Sequence, residues 1–302
     1  MRSHVVCTAL RVLALALALA VAATVPSSAA PDPAVTARAV IDRIKAHVGI
    51  PWTEPTVDTF KAGDPDAPVT GIAVTMMATF DVIQRAAAEN RNLVITHEPT
   101  FYSHQDETSE LEQEHDALYK AKADFIAAHH MVVWRFHDHW HRMTPDGIMT
   151  GMVRALAWGG YAKSGDPGIF TMPETTLGEL AASIKQKLDA HTLRVVGNPE
   201  MKVTGVGLAP GFAGSSINRR VLQRPDVQVE VIGEAHEWEI VEYAADANTA
   251  NLGKALIVIG HIPSEQAGMQ ECVRWLKAFV SEVPIALVPA KQPFWEPEGA
   301  RK

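Results

Sequence analysis

Three short apolar runs each end in a cluster of histidines and acids, and this pattern constrains the chain more than any other. Leu93-Val94-Ile95-Thr96 leads into His97-Glu98-Pro99. Val132-Val133-Trp134-Arg135-Phe136 leads into His137-Asp138-His139-Trp140-His141. Leu256-Ile257-Val258-Ile259-Gly260 leads into His261, with Glu265 four residues on. Short runs rich in Val and Ile read as buried strands. In open α/β sheets the carboxyl ends of parallel strands border the ligand crevice. The three clusters therefore fall where such folds build sites.

Other stretches extend the same alternation. Val69 to Met76, Val203 to Leu208, Val227 to Ile232 and Ile285 to Val288 are further strands. Helical spacing covers Asp81 to Ala88, Glu107 to Ala128 and Asp146 to Trp158. Thr176-Leu177-Gly178-Glu179 is a capping box opening a helix to about Ala190, and helices also fit 214–223, 236–248 and 264–280. Short buried strands between amphipathic helices predict an α/β fold: two α/β units with mixed sheets in a layered α/β/α arrangement. The Gly-, Ser- and Pro-rich stretch from Gly159 to Pro173 marks the boundary. We assign 31–158 with 250–302 to the first unit, which carries the clusters, and 159–249 to the second.

The N-terminus has a different character. Arg2 and Arg11 precede an apolar run from Val12 to Ala23, and Ser27-Ser28-Ala29-Ala30 supplies small residues for cleavage. This is the pattern of a secretory signal peptide over residues 1–30, and it predicts a periplasmic or secreted protein with no stable membrane anchor after processing. Cys7 leaves with that segment, so Cys272 has no intrachain partner. The chain of 302 residues has 27 Lys and Arg against 35 Asp and Glu, a net charge of −8, which argues against nucleic acid as partner. A composition of 47% hydrophobic residues supports a packed core and excludes a disordered chain.

The 13 histidines are numerous. A single histidine after a strand is usually a satisfied loop residue. The segment His137 to His141 also reads as a solvated loop, and His261 with Glu265 as a helix-start pair. Their recurrence at three strand ends favours a metal site, and His with carboxylate suits Zn, Fe, Mn or Ni over Ca or Mg. His129-His130 fits a helix C-terminus, where imidazolium suits the dipole. His47, His104, His115 and His191 show no partner pattern. His236 follows a strand in Gly233-Glu234-Ala235-His236 and is a further candidate. Gly205, Gly207, Gly211 and Gly214 surround a strand-to-helix turn but lack dinucleotide spacing, so a tight turn is favoured. Arg219, Arg220 and Arg224 read as a solvated helix face rather than an anion site.

These motifs resemble the NIF-three-like dinuclear metal-centre family, also known as type-two GTP cyclohydrolase I-like, from roughly Trp52 to Phe294. Where that family has His-His-Pro, this chain has His97-Glu98-Pro99 followed by Phe101-Tyr102. The second motif, His, Asp and Gly, is met by His137, His141 and Gly147, with histidine in the place of the acid. Gly260-His261, Glu265 and Gly268 match the third. Glu98 and His141 thus exchange a histidine and an acid between positions, leaving three histidines and two carboxylates.

The resemblance implies a NIF-three-like fold and two divalent transition-metal ions per subunit held by His97, Glu98, His141, His261 and Glu265. Glu265 is the candidate bridge; Asp138, His137 and His236 are reserve ligands or supports. Two ions about 3.5–4 Å apart can share a water and lower its pKa, which suits hydrolysis of a phosphoester, amide or cyclic amidine. The expectation is therefore an exported metal-dependent hydrolase of a small molecule, using a metal-bound water. The alternative is a non-catalytic metal-binding or scaffold protein. Family likeness also implies a homo-oligomer, a hexameric ring.

Overall fold

The computed structural model describes residues 34–297; the expected signal peptide lies outside them. Along the chain the strands are β1 (Phe60–Ala62), β2 (Ile72–Met77), β3 (Leu93–Glu98), β4 (Val132–Arg135), β5 (Ala162–Lys163), β6 (Asp166–Thr176), β7 (Arg194–Val196), β8 (Lys202–Ala209), β9 (Val229–Ile232), β10 (Ala255–Val258) and β11 (Ile285–Leu287). They form two mixed sheets, ordered β1-β4-β3-β2-β11 and β5-β6-β8-β9-β10-β7. In the first, β11, β2, β3 and β4 run parallel and β1 is antiparallel at the edge. In the second, β8, β9 and β10 are parallel, flanked by antiparallel neighbours.

Burial explains both layers. Every residue of β3 and β4 is buried, so helices and loops cover both faces of the first sheet, as a parallel sheet requires. In the second sheet alternate residues serve opposite faces. Val229, Val231, Ala255 and Ile257 pack under helices Gly147–Leu156 and Leu177–Lys187. Ile232, Leu256 and Val258 pack under helices Ser215–Leu222 and Glu242–Thr249. This is the layered α/β/α arrangement. No described helix is long and apolar enough to cross a membrane.

Several elements differ from the sequence reading. The expected helix from Glu107 to Ala128 is two, Ser109–Gln113 and Ala117–Ala128. His115 breaks it at φ +54°, and Asp116 caps the second piece by accepting from the Tyr119 N–H at 2.6 Å. Helix Ala37–His47, the edge strands β1, β5 and β7, and β6 beside β5 escape the apolar-run criterion because they are short or half-exposed. Strand β10, placed with the first unit from its position in sequence, is hydrogen-bonded between β9 and β7 in the second sheet. The chain crosses back only at helix His261–Leu276, whose buried Met269, Cys272, Val273 and Leu276 join the first core. The described residues, 34–297, belong to one compact unit.

One helix crossing fixes the geometry that matters. Helices Gly147–Leu156 and His261–Leu276 meet so closely that a Cβ on Gly151 would stand 2.3 Å from the Ala267 carbonyl oxygen. A Cβ on Gly268 would stand 2.5 Å from Ile148 Cα. Glycine at both positions permits the approach. The contact holds the end of the segment His137 to Asp146 against the start of the helix that carries His261 and Glu265.

Candidate metal centre

The three strand-end clusters converge. His97 and Glu98 close β3; after β4, His137 precedes a short helix, Asp138–Arg142, and His141 lies within it; His261 and Glu265 occupy the first turns of their helix, one above the other at four-residue spacing. His97 Nε2 is 3.1 Å from His141 Nε2 and 3.7 Å from Glu265 Oε2. Glu98 Oε1 is 3.5 Å from both His137 Nε2 and His261 Nε2. Glu265 Oε2 is 3.1 Å from His261 Nε2, and its Oε1 is 3.9 Å from His141 Nε2. His97, Glu98 and Glu265 are buried, with relative exposures of 0%, 7% and 2%.

Each ring is held from behind by its other nitrogen. His97 Nδ1–H donates to the Phe136 carbonyl at 3.0 Å, which accepts only. His137 Nδ1 bonds Asp138 Oδ1 at 2.9 Å, and His141 Nδ1 bonds Asp146 Oδ2 at 3.0 Å. His261 Nδ1 faces Glu234 Oε2 at 3.4 Å. With Nδ1 engaged behind every ring, Nε2 is the inward-facing nitrogen on all four, the arrangement that orients metal-binding imidazoles. Glu98 is steadied by Arg135, whose Nη2 is 3.3 Å from Oε2 while its Nε donates to the His97 carbonyl at 2.9 Å.

Burial, followed by the proximity of His141 and His137, holds the His97 pKa well below its ordinary value. Burial likewise lowers His137, more than Glu98 raises it. For His261 burial works downward, but the facing carboxylates of Glu234, Glu265 and Glu98 win and push it up to about 12. Burial would lower His141 too, yet Asp146, then Glu265 and Glu98, raise it. Glu98 resists the upward pull of burial because His261, His137 and Arg135 favour its ionised form. The cluster is therefore a set of acids and imidazoles whose charges depend on one another.

Two groupings bring ligand atoms within 4.8 Å of one another: His97, His137 and His141, and His97, Glu98 and Glu265. Moreover, His261 Nε2 and Glu265 Oε2 are buried and make no well-directed hydrogen bond, despite their 3.1 Å separation. Buried polar atoms normally find partners. Inward imidazole nitrogens, orphaned buried atoms and mixed nitrogen and oxygen donors fit a transition-metal ion.

The five residues expected as ligands come together, and His137 joins them. Asp138 stands behind His137, its Oδ2 accepting from Thr56 Oγ1 at 2.8 Å and the Val57 N–H at 3.1 Å. Burial notwithstanding, those bonds and His137 hold its carboxyl down at about 2. It thus stands behind His137 and not among the inward donors. His236 lies outside the cluster: it stacks on Trp238 at 4.7 Å, and the turn after β9 directs Glu234 inward instead. His139 points away, bonding Asp58 at 2.7 Å and stacking on Trp52.

Sequence reasoning missed Asp58, Arg135, Asp146 and Glu234. Asp58 accepts the backbone N–H groups of His137, Asp138 and His139 at 2.6, 3.0 and 2.8 Å, fixing that segment. Asp146 carries a usable signal, because an acid directly before the motif glycine Gly147 is a helix cap; it accepts from the Met149 N–H at 3.0 Å. Gly211, read as part of a tight turn, has φ +65° and lies where a Cβ would meet Glu265 Oε1 at 2.1 Å. Above the cluster opens a cavity of about 810 Å³, bordered by Phe80, Tyr102, His104, Lys122 and Phe212.

The sequence profile of the Duf34/NIF3 (NGG1p interacting factor 3) family matches residues 56–293. A Clostridium acetobutylicum protein described as a GTP cyclohydrolase 1 type 2 homolog is 26% identical over 217 residues, covering 67% of this chain and 75% of that protein. A Staphylococcus aureus hypothetical protein of solved structure superposes with a TM-score of 0.67 at 16% identity, covering 84% of this chain and 96% of its own. A Bacillus cereus protein related to NIF3 gives 0.65 at 14% identity, covering 87% and 98%. At these identities the structural likeness concerns the fold.

Proposed function

The chain belongs to the Duf34/NIF3 family, and from that premise we propose that it is an exported metal-dependent hydrolase with a dinuclear centre. The observation that carries this reading is the convergence of four inward imidazole nitrogens and two buried carboxylates on the floor of a substrate-sized cavity. His97, Glu98, His137, His141, His261 and Glu265 would hold two divalent ions, with Zn, Fe, Mn and Ni the candidates. Glu265 faces three of the imidazoles, which suits a bridging carboxylate. Bound ions would polarise a carbonyl or phosphoryl oxygen and bring the pKa of water toward neutrality.

The chain's own residues supply the rest. Asp138, Asp146, Glu234 and the Phe136 carbonyl fix the ring orientations, and Arg135 fixes Glu98. The cavity above the cluster favours an enzyme over a purely metal-storing or scaffold protein, because a closed structural site needs no such space. Export is part of the proposal, on the Arg2, Val12–Ala23 and Ala29-Ala30 pattern, and so is a homo-oligomer, on family likeness.

Elemental analysis of protein purified without chelator, joined to a panel of phosphoesters, amides, cyclic amidines and GTP, tests the reading. GTP is included because of the clostridial relative's description. About two ions per subunit with metal-dependent turnover is the expected result. Tight metal binding without turnover on any class supports the non-catalytic alternative.

A further inference from the structure

We propose that Lys122 is an anion-binding residue of the cavity, receiving an acidic group of the substrate, a phosphate, phosphonate or carboxylate. The substrate part of this inference rests on the hydrolase reading; the binding part does not. Lys122 sits within helix Ala117–Ala128 and is 2% exposed. Its Nζ donates to the Thr100 carbonyl at 2.6 Å, the one acceptor it reaches among the described residues. An ammonium carries three donors. The ring faces of Phe101 and Tyr102 lie 5.6 and 5.5 Å from Nζ and favour a cation there.

Asp106, the acid whose charge favours the Lys122 cation, is engaged elsewhere. Asp106 Oδ1 accepts from the Thr100 and Phe101 N–H groups at 2.6 and 2.7 Å. Asp106 Oδ2 lies 3.6 Å from Lys61 Nζ and 3.9 Å from Arg135 Nη1. Lys122 is thus a buried charge with donors to spare, and it borders the cavity. Burial brings its pKa down to about 8, which leaves it cationic at neutral pH. It is the one lysine or arginine among the described lining residues; the other fully charged groups there are the acids Glu98, Asp146, Glu234 and Glu265. Tyr102 and Phe212, both exposed at the same cavity, offer faces for a flat ring. Arg219 and Arg220 do not line it, and Arg224 is paired with Asp226 and Asp166.

Phenylphosphonate, a non-hydrolysable ring with an acidic group, is the probe. Its binding to the full chain is measured by calorimetry, as purified and after chelator treatment. Lys122→Met is expected to weaken binding about 10- to 100-fold, the equivalent of one charge-assisted hydrogen bond, in both preparations. In the unmutated protein, saturating probe is expected to shield Lys122 from reductive methylation, read by mass spectrometry; this arm decides if the variant does not fold. Absence of binding to the unmutated protein, equal binding by Lys122→Met, or binding without shielding each overturns the proposal. A metal-loaded, active enzyme indifferent to Lys122→Met sinks this inference alone. A protein that binds no metal yet shows the Lys122 effect sinks the hydrolase reading and leaves the anion site standing.

Discussion

The Nε2 atoms of His97 and His141 face each other at 3.1 Å, although each ring already uses Nδ1 to bond a partner behind it. Two neutral rings so placed set lone pair against lone pair. A shared proton or a cation between them relieves the conflict. His97 cannot turn away, being fully buried and tied to the Phe136 carbonyl. The carboxylate of Glu265 completes the enclosure, 3.7 Å from one ring and 3.9 Å from the other.

Deleting an inward donor should therefore remove an ion. Glu98→Ala, His141→Ala and His261→Ala are each expected to lower occupancy by about one ion per subunit, a larger effect than loss of a supporting group. His137→Ala should behave likewise, since its Nε2 shares the cluster. His104 borders the cavity, with its ring 5.9 Å from His137, but belongs to neither donor grouping, so His104→Ala is expected to leave occupancy unchanged. Elemental analysis after gel filtration checks this; full occupancy in both Glu98→Ala and His141→Ala would refute the donor set.

The supporting acids predict a milder phenotype. Asp138→Asn and Asp146→Asn keep shape but weaken the hold on His137 and His141. Metal affinity is expected to fall about 10- to 100-fold, measured by competition with a chelator of known strength. An Asp138→Ala variant that loses a whole ion while His137→Ala loses none would reverse the two roles.

What the sequence disclosed follows from its periodicities. β2, β3, β4, β8, β9, β10 and β11 are apolar runs, and the donors stand at strand ends where spacing alone exposes them. Asp58 and Glu234 were illegible for a physical reason. Each acts across the fold, Asp58 on backbone groups some 80 positions away and Glu234 on the His261 ring, beyond the next helix and strand β10. Neither lies in a pattern that local spacing can reveal. The assignment of β10 failed similarly: its partners β9 and β7 are chosen by sheet order, while the motif beginning at Gly260 belongs to the helix that leaves that sheet.

Gly211 offers a test of the Glu265 position independent of the ligands. Its φ of +65° disfavours any other residue, and an added Cβ would meet Glu265 Oε1 at 2.1 Å. The carboxylate is the far end of a side chain, so it yields before the backbone does. Gly211→Ala is expected to cost about 1–2 kcal/mol in stability from the left-handed backbone while displacing Glu265 and weakening metal binding. Chemical denaturation and metal analysis together check this. Unchanged metal affinity at reduced stability would show that Glu265 is not held where the ion needs it.

Export makes its own prediction. The Arg2, Val12–Ala23 and Ala29-Ala30 pattern is expected to yield a protein whose exported form begins near Ala30 or Pro31. N-terminal sequencing of the fractionated native protein decides it, and an intact Met1 in the soluble cytoplasmic fraction would end the assignment.

Glu230 makes the second sheet sensitive to pH. It lies on β9, fully buried, its two carboxyl oxygens without hydrogen-bond partners among the described residues. Burial pushes its pKa from 4.5 up to about 8. A carboxyl raised on folding stays protonated in the native state while the unfolded chain ionises, so the native state binds more protons between those values. Its contribution to stability is therefore intact below about pH 4.5 and is lost as pH rises through about 8. At roughly 1.4 kcal/mol per pKa unit the full loss is about 5 kcal/mol as an order of magnitude. Glu230→Gln removes the titration and keeps the shape. The difference in unfolding free energy between variant and unmutated protein, measured in urea at pH 5 and pH 8.5, is expected to shift by several kcal/mol in the variant's favour at the higher pH. Other carboxylates titrate alike in both proteins and cancel in that difference. Parallel stability curves across this range would mean that Glu230 has a partner or a path to water after all.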